Sequence, residues 1–370
     1  MKVLEISKKD LKNNIDIIKN MMIGNETDDN GQKKQIIAVV KSNGMGIGLI
    51  EESKFLVENG ITFLAVATID EVLALSNEKL DCKILMLSPV SNENDIKILL
   101  DNKVTLTIGS MEELEKVEKI LEERNEEAQC HIKVDTGLAR YGFLYDDTAI
   151  IDCFEKAKRL KITGMFTHCS KPTDEKWTRK QFNRFLDVVA GVKASGYNPG
   201  LLHLASSTPA LKYPDMRLNA VRIGSAFQGR TMVKNLGFKP VGVFKTNIEE
   251  IKTLPKGYNI SYGNSYTTKK QTKVAILPVG YRDGLFMDKH RDTFSFIDNI
   301  VATLMEFKKI FKDNSLKVKI NGNEYKVVGR VGMYHAVVDI TGADDIKVGD
   351  EVVFNLPPLL VSDNIKREYN

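Results

Sequence analysis

The sequence predicts an α/β protein with an N-terminal (β/α)8 barrel followed by a C-terminal all-β domain. Through residues 1–240, short apolar runs alternate with amphipathic stretches, which is typical of a parallel sheet with helical crossovers. Eight such runs fit the strand number of a closed parallel barrel. After about Val241, short alternating runs with glycine turns indicate an all-β domain over residues 241–370. The sequence leaves open whether the first few residues join that β domain.

The predicted barrel strands are apolar runs rich in β-branched residues. They are Ile36–Val40, Phe63–Ala67, Lys83–Leu87, Val104–Ile108, His131–Asp135, Ile162–His168, Leu202–Ala205 and Ala220–Gly224. Helical patterns lie between most of them, and Ser110 with Glu113 forms a capping-box pattern at the start of one. The last interval is short for a full helix. The polar segment Gly24–Lys34 is predicted to be an exposed excursion before the first barrel strand.

The predicted strands of the β domain are Val274–Pro278, Leu316–Ile320, Tyr325–Val328, Ala336–Ile340 and Asp350–Phe354.

Composition excludes several classes of function. The 370 residues are 42% hydrophobic and 28% charged, which is ordinary for a soluble globular protein. The net charge of +4 and the lack of basic runs interleaved with aromatics argue against nucleic-acid binding. No apolar stretch reaches the roughly 18 residues of a membrane span. The N-terminus lacks an apolar signal core, so we expect a cytoplasmic protein. We also expect reduced cysteines and no metal site.

The segment IIAVVKSNGMGIG, residues 36–48, places Lys41 where a buried strand gives way to a glycine-rich turn. Desolvation of a lysine lowers its pKa, and the neutral amine can attack a carbonyl group to form a Schiff base. The plainer interpretation is a lysine that has reached the solvent at the rim of the strand. On this segment alone the plainer interpretation is favoured, and the remaining residues reverse that preference.

Further polar residues follow the later strands. Active sites of such barrels lie at the carboxyl ends of the strands, and the loops after the last two strands often bind phosphate. The residues predicted at that rim are Lys41, Lys133, Arg140, His168, Ser207, Arg222, Gly224 and Ser225. A lysine opposite a set of phosphate-binding turns is the pattern expected for pyridoxal 5'-phosphate.

Each of these residues also has a structural interpretation. Ser206 and Ser207 could cap a helix beginning near Pro209, and His168 could be a hydrogen-bonded core histidine. The two arginines could be rim residues that extend to solvent. Residues 135–137 are interpreted as a turn. Convergence at one end of the barrel outweighs these separate alternatives.

The Lys41 segment resembles the motif AVVKANAYGHG of the alanine racemase family. HIKVDTGLARYGF, Thr167-His168 and VRIGSAFQG also resemble motifs of that family. The resemblance implies that Lys41 holds pyridoxal phosphate and that Arg140 faces its phenolate oxygen and the substrate carboxylate. It further implies that His168 lies beside the ring and that Arg222 faces the pyridine nitrogen. Lys133 matches a lysine that is carbamylated in many members and then holds the arginine.

A second signature, SYGNSY followed by LPVGYRDG, resembles the family's pair SYG…GYADG. It implies that Tyr262 is a second catalytic base in the active site of a partner subunit, so a homodimer with shared active sites is expected. Tyr281 matches a tyrosine at the entrance, and the backbone at Met333 is expected to bind the substrate carboxylate. Tyr369 matches a tyrosine that contacts the cofactor phosphate.

Several positions depart from the family pattern. Met45 replaces a tyrosine that donates to the phosphate, and Ser206 replaces an asparagine. Gly332 and Tyr334 replace a cysteine and an aspartate, and Arg282 replaces an alanine. Because of these changes, we consider weaker cofactor retention and an altered choice of substrate. Both expected bases remain in place.

The sequence therefore predicts a pyridoxal-phosphate amino-acid racemase, with alanine as the expected substrate. Lys41 is expected to serve the D-face of Cα and Tyr262 the L-face. Alternatives are a racemase of other or more amino acids, such as serine or basic ones, and a barrel-type amino-acid decarboxylase. The decarboxylase favours an acidic residue at the ring nitrogen and a cysteine near the C-terminus, whereas this chain has Arg222 and no cysteine after Cys169. A non-catalytic carrier of the single-barrel type, which lacks the β domain, and a degenerate regulatory homologue are weaker alternatives.

Overall fold

The computed structural model describes residues 1–22, 34–285, 296–310 and 316–370. The chain forms two compact units, one of residues Ser7–Val241 and one that combines Met1–Ile6 with Gly242–Asn370. The first few residues thus belong to the β unit. The predicted excursion Gly24–Lys34 lies, apart from Lys34, outside the described residues.

Strand β1 (Lys2–Ile6) belongs to the β unit, and the next nine strands belong to the barrel unit. Their bounds are β2 (Gln35–Val39), β3 (Phe63–Val66), β4 (Lys83–Met86), β5 (Leu106–Ile108), β6 (Ala128–Asp135), β7 (Phe143–Leu144), β8 (Leu160–Phe166), β9 (Leu201–Ser206) and β10 (Ala220–Ile223). The two-residue β7 is an addition that pairs with β6.

The parallel sheet of this unit is nearly a closed barrel. Among the described residues, eight strands follow the order β4-β3-β2-β10-β9-β8-β6-β5. A single parallel bridge between Leu85 and Thr105 joins its two ends. The sheet is buried on both faces, and every residue of β3 and β10 is buried. This double burial explains why the barrel strands are continuous apolar runs rather than alternating patterns. The predicted (β/α)8 fold is confirmed.

Helices separate the barrel strands. Their bounds are α1 (Lys8–Met22), α2 (Lys41–Met45), α3 (Leu49–Glu58), α4 (Ile69–Asn77), α5 (Glu93–Asp101), α6 (Met111–Arg124), α7 (Ala149–Lys156), α8 (Glu175–Ala194) and α9 (Ser207–Lys212). The predicted helix start at Ser110 is present, because its Oγ accepts from the Glu113 N–H at 3.2 Å. The six-residue α9 accounts for the short last interval of the sequence pattern.

The β unit is a mostly antiparallel sheet. The remaining elements are β11 (Gly242–Asn247), β12 (Glu250–Leu254), β13 (Asn259–Ile260), β14 (Tyr266–Thr267), β15 (Thr272–Leu277), α10 (Phe296–Ile310), β16 (Lys317–Ile320), β17 (Asn323–Val328), β18 (Ala336–Asp339), β19 (Glu351–Phe354) and β20 (Lys366–Tyr369). The main sheet has the order β12-β15-β18-β17-β16-β19-β11-β1-β20. Strand β1 joins it by pairing antiparallel with β11 and parallel with β20.

Candidate active site

A cavity of about 310 Å³ lies at the carboxyl ends of the barrel strands. It is lined by all eight residues predicted for the rim, namely Lys41, Lys133, Arg140, His168, Ser207, Arg222, Gly224 and Ser225. Met45 and Ser206, which depart from the family pattern, line it as well. The barrel topology therefore brings these residues, distant in sequence, into one cavity.

Arg222 is the most completely buried cation of this cavity. Arg222, on strand β10, is only 3% exposed. Nη1 donates to His203 Nδ1 at 2.7 Å, and Nη2 donates to His168 Nδ1 at 3.2 Å. Further bonds go to the backbone oxygens of Thr167 at 2.6 Å and Leu204 at 3.2 Å. The interpretation of Arg222 as a residue extending to solvent is therefore wrong.

These contacts fix the protonation of three histidines. Arginine can only donate, so Nδ1 of His203 and Nδ1 of His168 must both be unprotonated acceptors. His203 then carries its proton on Nε2, which lies 2.8 Å from Nδ1 of His131. Burial first, and then the charge of Arg222, lowers the pKa of His131 to about 3 and that of His203 well below its usual value. All three rings are accordingly neutral at pH 7.

His131 and His203 were not among the residues predicted from sequence. Both lie within apolar strands, where a histidine gives no signal of its own. His203 stacks on Phe166, with ring centroids 4.8 Å apart and an angle of 7° between the planes. The signal that could have found this pair is the position of each residue on a barrel strand, since His203 accepts from Arg222 and in turn contacts His131.

His168 combines a functional and a structural interpretation. It lies two residues beyond the end of β8, lines the cavity, and is half-buried. Burial, followed by the charges of Arg222 and Arg140, lowers the pKa of His168 to about 2. With Nδ1 bound to Arg222, its Nε2–H is the donor left for the cavity.

Lys133 is a buried amine among cations. It is 4% exposed on strand β6, and its Nζ lies 4.6 Å from the ring centroid of Phe166. Burial, then the charges of Arg222 and Arg140, lowers its pKa to about 7, while Asp135 opposes this shift. A large fraction of this amine is therefore neutral near pH 7, and the neutral amine is the nucleophilic form.

The loop that carries Arg140 is organised by a carboxylate. Asp135 accepts hydrogen bonds from the backbone N–H groups of Gly137, Leu138 and Arg140, at 2.8, 2.8 and 3.2 Å. Burial raises the pKa of Asp135, but these N–H donors outweigh burial and the net shift is downward. Residues 135–137 do form the turn expected from sequence. The structure adds that its carboxylate holds the segment that presents Arg140 to the cavity.

Lys41 begins a left-handed turn. Ser42, Asn43, Gly44 and Met45 have φ values of 56°, 53°, 61° and 51°. The Glu71 carboxylate accepts from the Ser42 N–H at 2.6 Å and so ties this turn to helix α4. Lys41 itself is half-buried and lines the cavity.

Ser207 and Gly224 line the cavity next to the Lys41 segment, because β10 pairs with β2. Ser207 Oγ accepts from the N–H groups of Gly224 at 3.2 Å and Ala226 at 3.4 Å. Ser206 is the residue before helix α9, but its side chain makes no capping hydrogen bond. The proposed capping role of this pair is therefore wrong for Ser206, and Ser207 instead joins the turns after β9 and β10. A Cβ at Gly224 would lie 3.2 Å from the Val39 carbonyl oxygen, so a glycine allows the close approach.

Most of the residues predicted in the β unit line a cavity of about 730 Å³. Tyr262, Tyr281, Met333 and Tyr334 line it, and Tyr262 is 74% exposed. The turn at Tyr281 packs against the turn at Met333, because Tyr281 N–H donates to the Gly332 oxygen at 3.0 Å. Tyr369 lies on strand β20 and is half-buried.

Within the described ranges, no group of three or more histidine, cysteine, aspartate or glutamate side chains is placed to hold a metal ion. Each helix in the same ranges is too short or too polar to cross a bilayer.

The fold and the cavity define the class of protein: a (β/α)8 barrel with a lysine and a hydroxyl-lined turn at its rim, followed by a β domain. The family descriptions "Alanine racemase, N-terminal domain" and "Alanine racemase, C-terminal domain" match residues 6–231 and 241–358. The chain belongs to the alanine racemase family. A non-catalytic carrier of the single-barrel type is excluded, because the match to the C-terminal domain and strands β11–β20 show that a β domain follows the barrel.

Known members are similar over nearly the whole chain. An alanine racemase of Methanococcus maripaludis is 30% identical over 94% of this chain and 87% of its own length. The structure of an alanine racemase from Clostridium difficile 630 aligns with a TM-score of 0.80 at 29% identity, over 99% of this chain and 88% of that one. A Bacillus anthracis alanine racemase with bound L-Ala-P aligns with a TM-score of 0.78 at 27% identity, over 95% and 85%.

Proposed function

We propose that this protein interconverts L- and D-alanine with pyridoxal 5'-phosphate bound at Lys41. The observation that carries the proposal is the convergence of Lys41, Ser207 and Arg222 in one barrel cavity of about 310 Å³. That volume is at the lower end of the range for small-molecule and cofactor sites. Amine, hydroxyl and guanidinium groups are the donor set that an anionic cofactor with an aldehyde group requires, so the residues present fit it.

The roles of the barrel residues follow from their chemistry. When bound, pyridoxal phosphate supplies an electron sink that acidifies the Cα proton of an amino acid. Ser207, Gly224, Ser225 and Tyr369 are proposed to bind its phosphate. Arg222 is proposed to face its ring nitrogen. Because a guanidinium keeps its protons, it would leave that nitrogen unprotonated and make the ring a weaker sink. A weaker sink favours proton transfer over decarboxylation.

The remaining cavity residues are proposed to orient the ring and the substrate. His168 is proposed to lie beside the ring, where its Nε2–H is the donor facing the cavity. Arg140 is proposed to bind the substrate carboxylate, because a guanidinium presents two parallel N–H donors to a carboxylate. The Asp135 turn holds the Arg140 backbone for this contact.

Racemisation needs a base on each face of Cα, since one base alone would tend to restore the starting configuration. Lys41 is proposed to take and return the proton on the D-face, and Tyr262 on the L-face. The side chain of Tyr262 is 74% exposed on the β unit and so accessible to a second copy of the chain. We therefore propose a homodimer in which Tyr262 serves the site of the other subunit. Tyr281 and the Met333 backbone are proposed to line the entrance and to bind substrate.

Lys133 is proposed to be carbamylated. A neutral amine adds to carbon dioxide, one proton is released, and the product carries a negative charge. The lowered pKa of Lys133, about 7, makes the neutral amine available. The cations Arg140 and Arg222, which lower that pKa, would favour the anionic product for the same electrostatic reason.

Alanine is proposed as the substrate because the relatives described above are alanine racemases, and serine and basic amino acids are the competing candidates. A cytoplasmic location is also proposed. It is supported by the four cysteines of the described residues, which are free thiols as expected in a reducing compartment.

The proposal is tested by cofactor labelling followed by a racemase assay. Borohydride treatment of the protein loaded with pyridoxal phosphate should fix the label to Lys41, as read by peptide mass spectrometry. Lys41→Ala should lose both the label and racemisation, whereas Lys212→Ala, in a surface position on α9, should retain both. Labelling of another lysine, or no racemisation across a panel of single amino acids, would refute the proposed function.

A further inference from the structure

The turn after Lys41 is a strained segment. Its residues 42–45 all have positive φ, and three of them are not glycines. A left-handed conformation costs roughly 1–2 kcal/mol for each such residue. Conformations of this kind persist only where the surrounding structure over-determines them. The contacts of this turn therefore determine the position of Lys41.

Hydrogen bonds hold the turn on two sides. On one side the Glu71 carboxylate accepts from the Ser42 N–H at 2.6 Å. On the other side Gln228 Nε2 donates to the carbonyl oxygens of Gly44 at 2.8 Å and Met45 at 3.0 Å. These bonds fix the polar groups of the backbone, but they leave the Cα of Gly44 to be supported by packing.

Glu52 of helix α3 fills the space beside that Cα. A Cβ built on Gly44 would lie 2.7 Å from Glu52 Oε2, 3.2 Å from the Leu49 backbone nitrogen and 3.4 Å from Glu52 Cβ. The contact at 2.7 Å is shorter than side chains tolerate, so the carboxyl occupies the volume that any other residue at 44 would need. Glu52 is completely buried.

The state of this carboxyl is unusual. Neither oxygen has a hydrogen-bond partner among the described residues. Complete burial raises the pKa of Glu52 well above its ordinary value, because burial disfavours the charged form of a carboxyl group. A buried carboxyl without hydrogen-bond partners among the described residues acts on the turn through its volume and shape.

We propose that Glu52 is a positioning residue for Lys41, acting by packing its carboxyl group into the space that Gly44 leaves open beneath the left-handed turn. The inference rests on the proposed role of Lys41 in holding pyridoxal phosphate. It adds a residue that lies outside the cavity lining and acts through the turn.

The test is a double-mutant cycle that measures the dissociation constant for pyridoxal phosphate and the thermal unfolding of the cofactor-free protein. Gly44→Ala places a methyl group against the carboxyl, and Glu52→Ala leaves a void under the turn. Each should weaken cofactor binding roughly tenfold, a loss within the range of coupled neighbouring residues. In Gly44→Ala/Glu52→Ala the methyl group enters the void, so binding should recover toward the wild-type value.

Two variants separate packing from other effects. Glu52→Gln keeps the volume without an ionisable group and should bind the cofactor as the wild type does. Gly196→Ala is matched for backbone strain, because Gly196 has φ of +84° in the same unit and no atom within 4 Å of an added Cβ. It should lower thermal stability without changing the dissociation constant.

The proposal fails if the double variant loses as much cofactor affinity as the two single effects multiplied together. It fails as well if Gly44→Ala leaves the dissociation constant unchanged, as Gly196→Ala is expected to do. It also fails if Glu52→Gln is as weak as Glu52→Ala. A wild-type protein that binds no pyridoxal phosphate would refute the proposed function instead. The two failures are distinguishable, because binding by the wild type is measured before any variant is compared with it.

Discussion

The barrel cavity and the cavity of the β unit hold their polar side chains in opposite ways. In the barrel, Arg222 is 3% exposed, and His203, His168 and backbone oxygens accept its hydrogen bonds. In the β unit, Tyr262 is 74% exposed and Met333 is 56% exposed. The barrel residues are therefore held by their own unit, whereas the tyrosines of the β unit present an open surface. The difference is what we expect if the barrel supplies most of the groups that bind the cofactor and the exposed tyrosine of the β unit completes a site in a second copy.

The largest expected effect is the loss of racemisation when Tyr262, in the cavity of the β unit, is replaced. Tyr262→Phe removes only a hydroxyl from an exposed ring, so the fold should be unchanged while racemisation falls roughly 10²–10⁴-fold, the range for loss of a general base. With Lys41 intact, the D-enantiomer should still exchange its Cα proton with deuterium while barely inverting. The L-enantiomer should do neither at a useful rate.

The control for that variant is Tyr334→Phe, which alters a second exposed tyrosine of the same cavity and should stay near the wild-type rate. Near-normal racemisation by Tyr262→Phe would eliminate the two-base mechanism. Loss of exchange from both enantiomers would indicate a structural tyrosine.

A mixing experiment tests whether the two cavities act across subunits. Lys41→Ala and Tyr262→Ala subunits are each inactive in the proposed mechanism. A mixed dimer should recover some activity, because one of its two sites has both an intact Lys41 and an intact Tyr262. Mixed dimers that form but stay inactive, as judged by differently tagged subunits, would contradict a shared site.

The fold was largely predictable because the barrel strands are buried on both faces and read as apolar runs. Strand β1 could not be assigned, since it pairs with β11 and β20, which lie more than two hundred residues away in sequence. Strand β12 was missed for a different reason. None of its residues is fully buried, so EIKTL carries no continuous apolar signal.

A smaller effect, on stability, is expected from Lys133 in the barrel cavity, where burial among cations lowers its pKa to about 7. In the unfolded chain a lysine titrates near pH 10.4. Between these values only the unfolded chain binds the proton, so stability of the wild type rises with pH across that window. Lys133→Met should therefore be more stable than the cofactor-free wild type by up to a few kcal/mol at pH 7, with the advantage shrinking toward pH 10.

The measurement is urea unfolding from pH 6 to 10 in buffers free of carbon dioxide. Addition of bicarbonate should reduce the difference at pH 7 if Lys133 becomes carbamylated, since the modification removes the buried cation. A stability difference that is constant with pH would show that the burial of Lys133 does not control its protonation.

The predicted rim residues reached one cavity because each lies near or just beyond the carboxyl end of a strand, and parallel strands end at the same edge. The groups that hold them were not predictable in the same way. His131, His203 and Glu52 lie inside regular elements, and only the packing of β6 against β8 and β9, or of α3 under the Lys41 turn, reveals what they contact. Sequence motifs therefore identified the side chains that line the cavity better than those that position them.

Asp135→Asn tests whether the barrel cavity depends on such a positioning group. The carboxylate accepts three backbone N–H bonds, and an amide retains one oxygen, so we expect a loss of roughly 1.5–3 kcal/mol in unfolding free energy at pH 7. Because the folded pKa is lowered, this difference is present above pH 4 and disappears as the pH falls through the folded pKa.

The matched control is Asp101→Asn, which breaks an exposed ion pair with Arg124 and should cost about 0–1 kcal/mol. The variant at 135 should also raise KM for alanine, because the loop that carries Arg140 loses its anchor. Equal effects of the two substitutions would mean that the Asp135 turn does not organise the site.

The smallest expected effect concerns Met45, the residue of the Lys41 turn that lines the cavity with a thioether. A thioether gives no donor to a phosphate, so Met45→Tyr should slow the loss of pyridoxal phosphate by about tenfold, near the lower end of what a hydrogen bond to a charged group contributes. Met45→Phe supplies the same ring without the hydroxyl and isolates the donor from the added apolar surface. Equal retention by the two variants, measured from the rate of cofactor release after dilution, would show that ring packing rather than hydrogen bonding limits retention. Tighter binding by the tyrosine variant alone would instead show that the cavity has room for one more donor than this chain supplies.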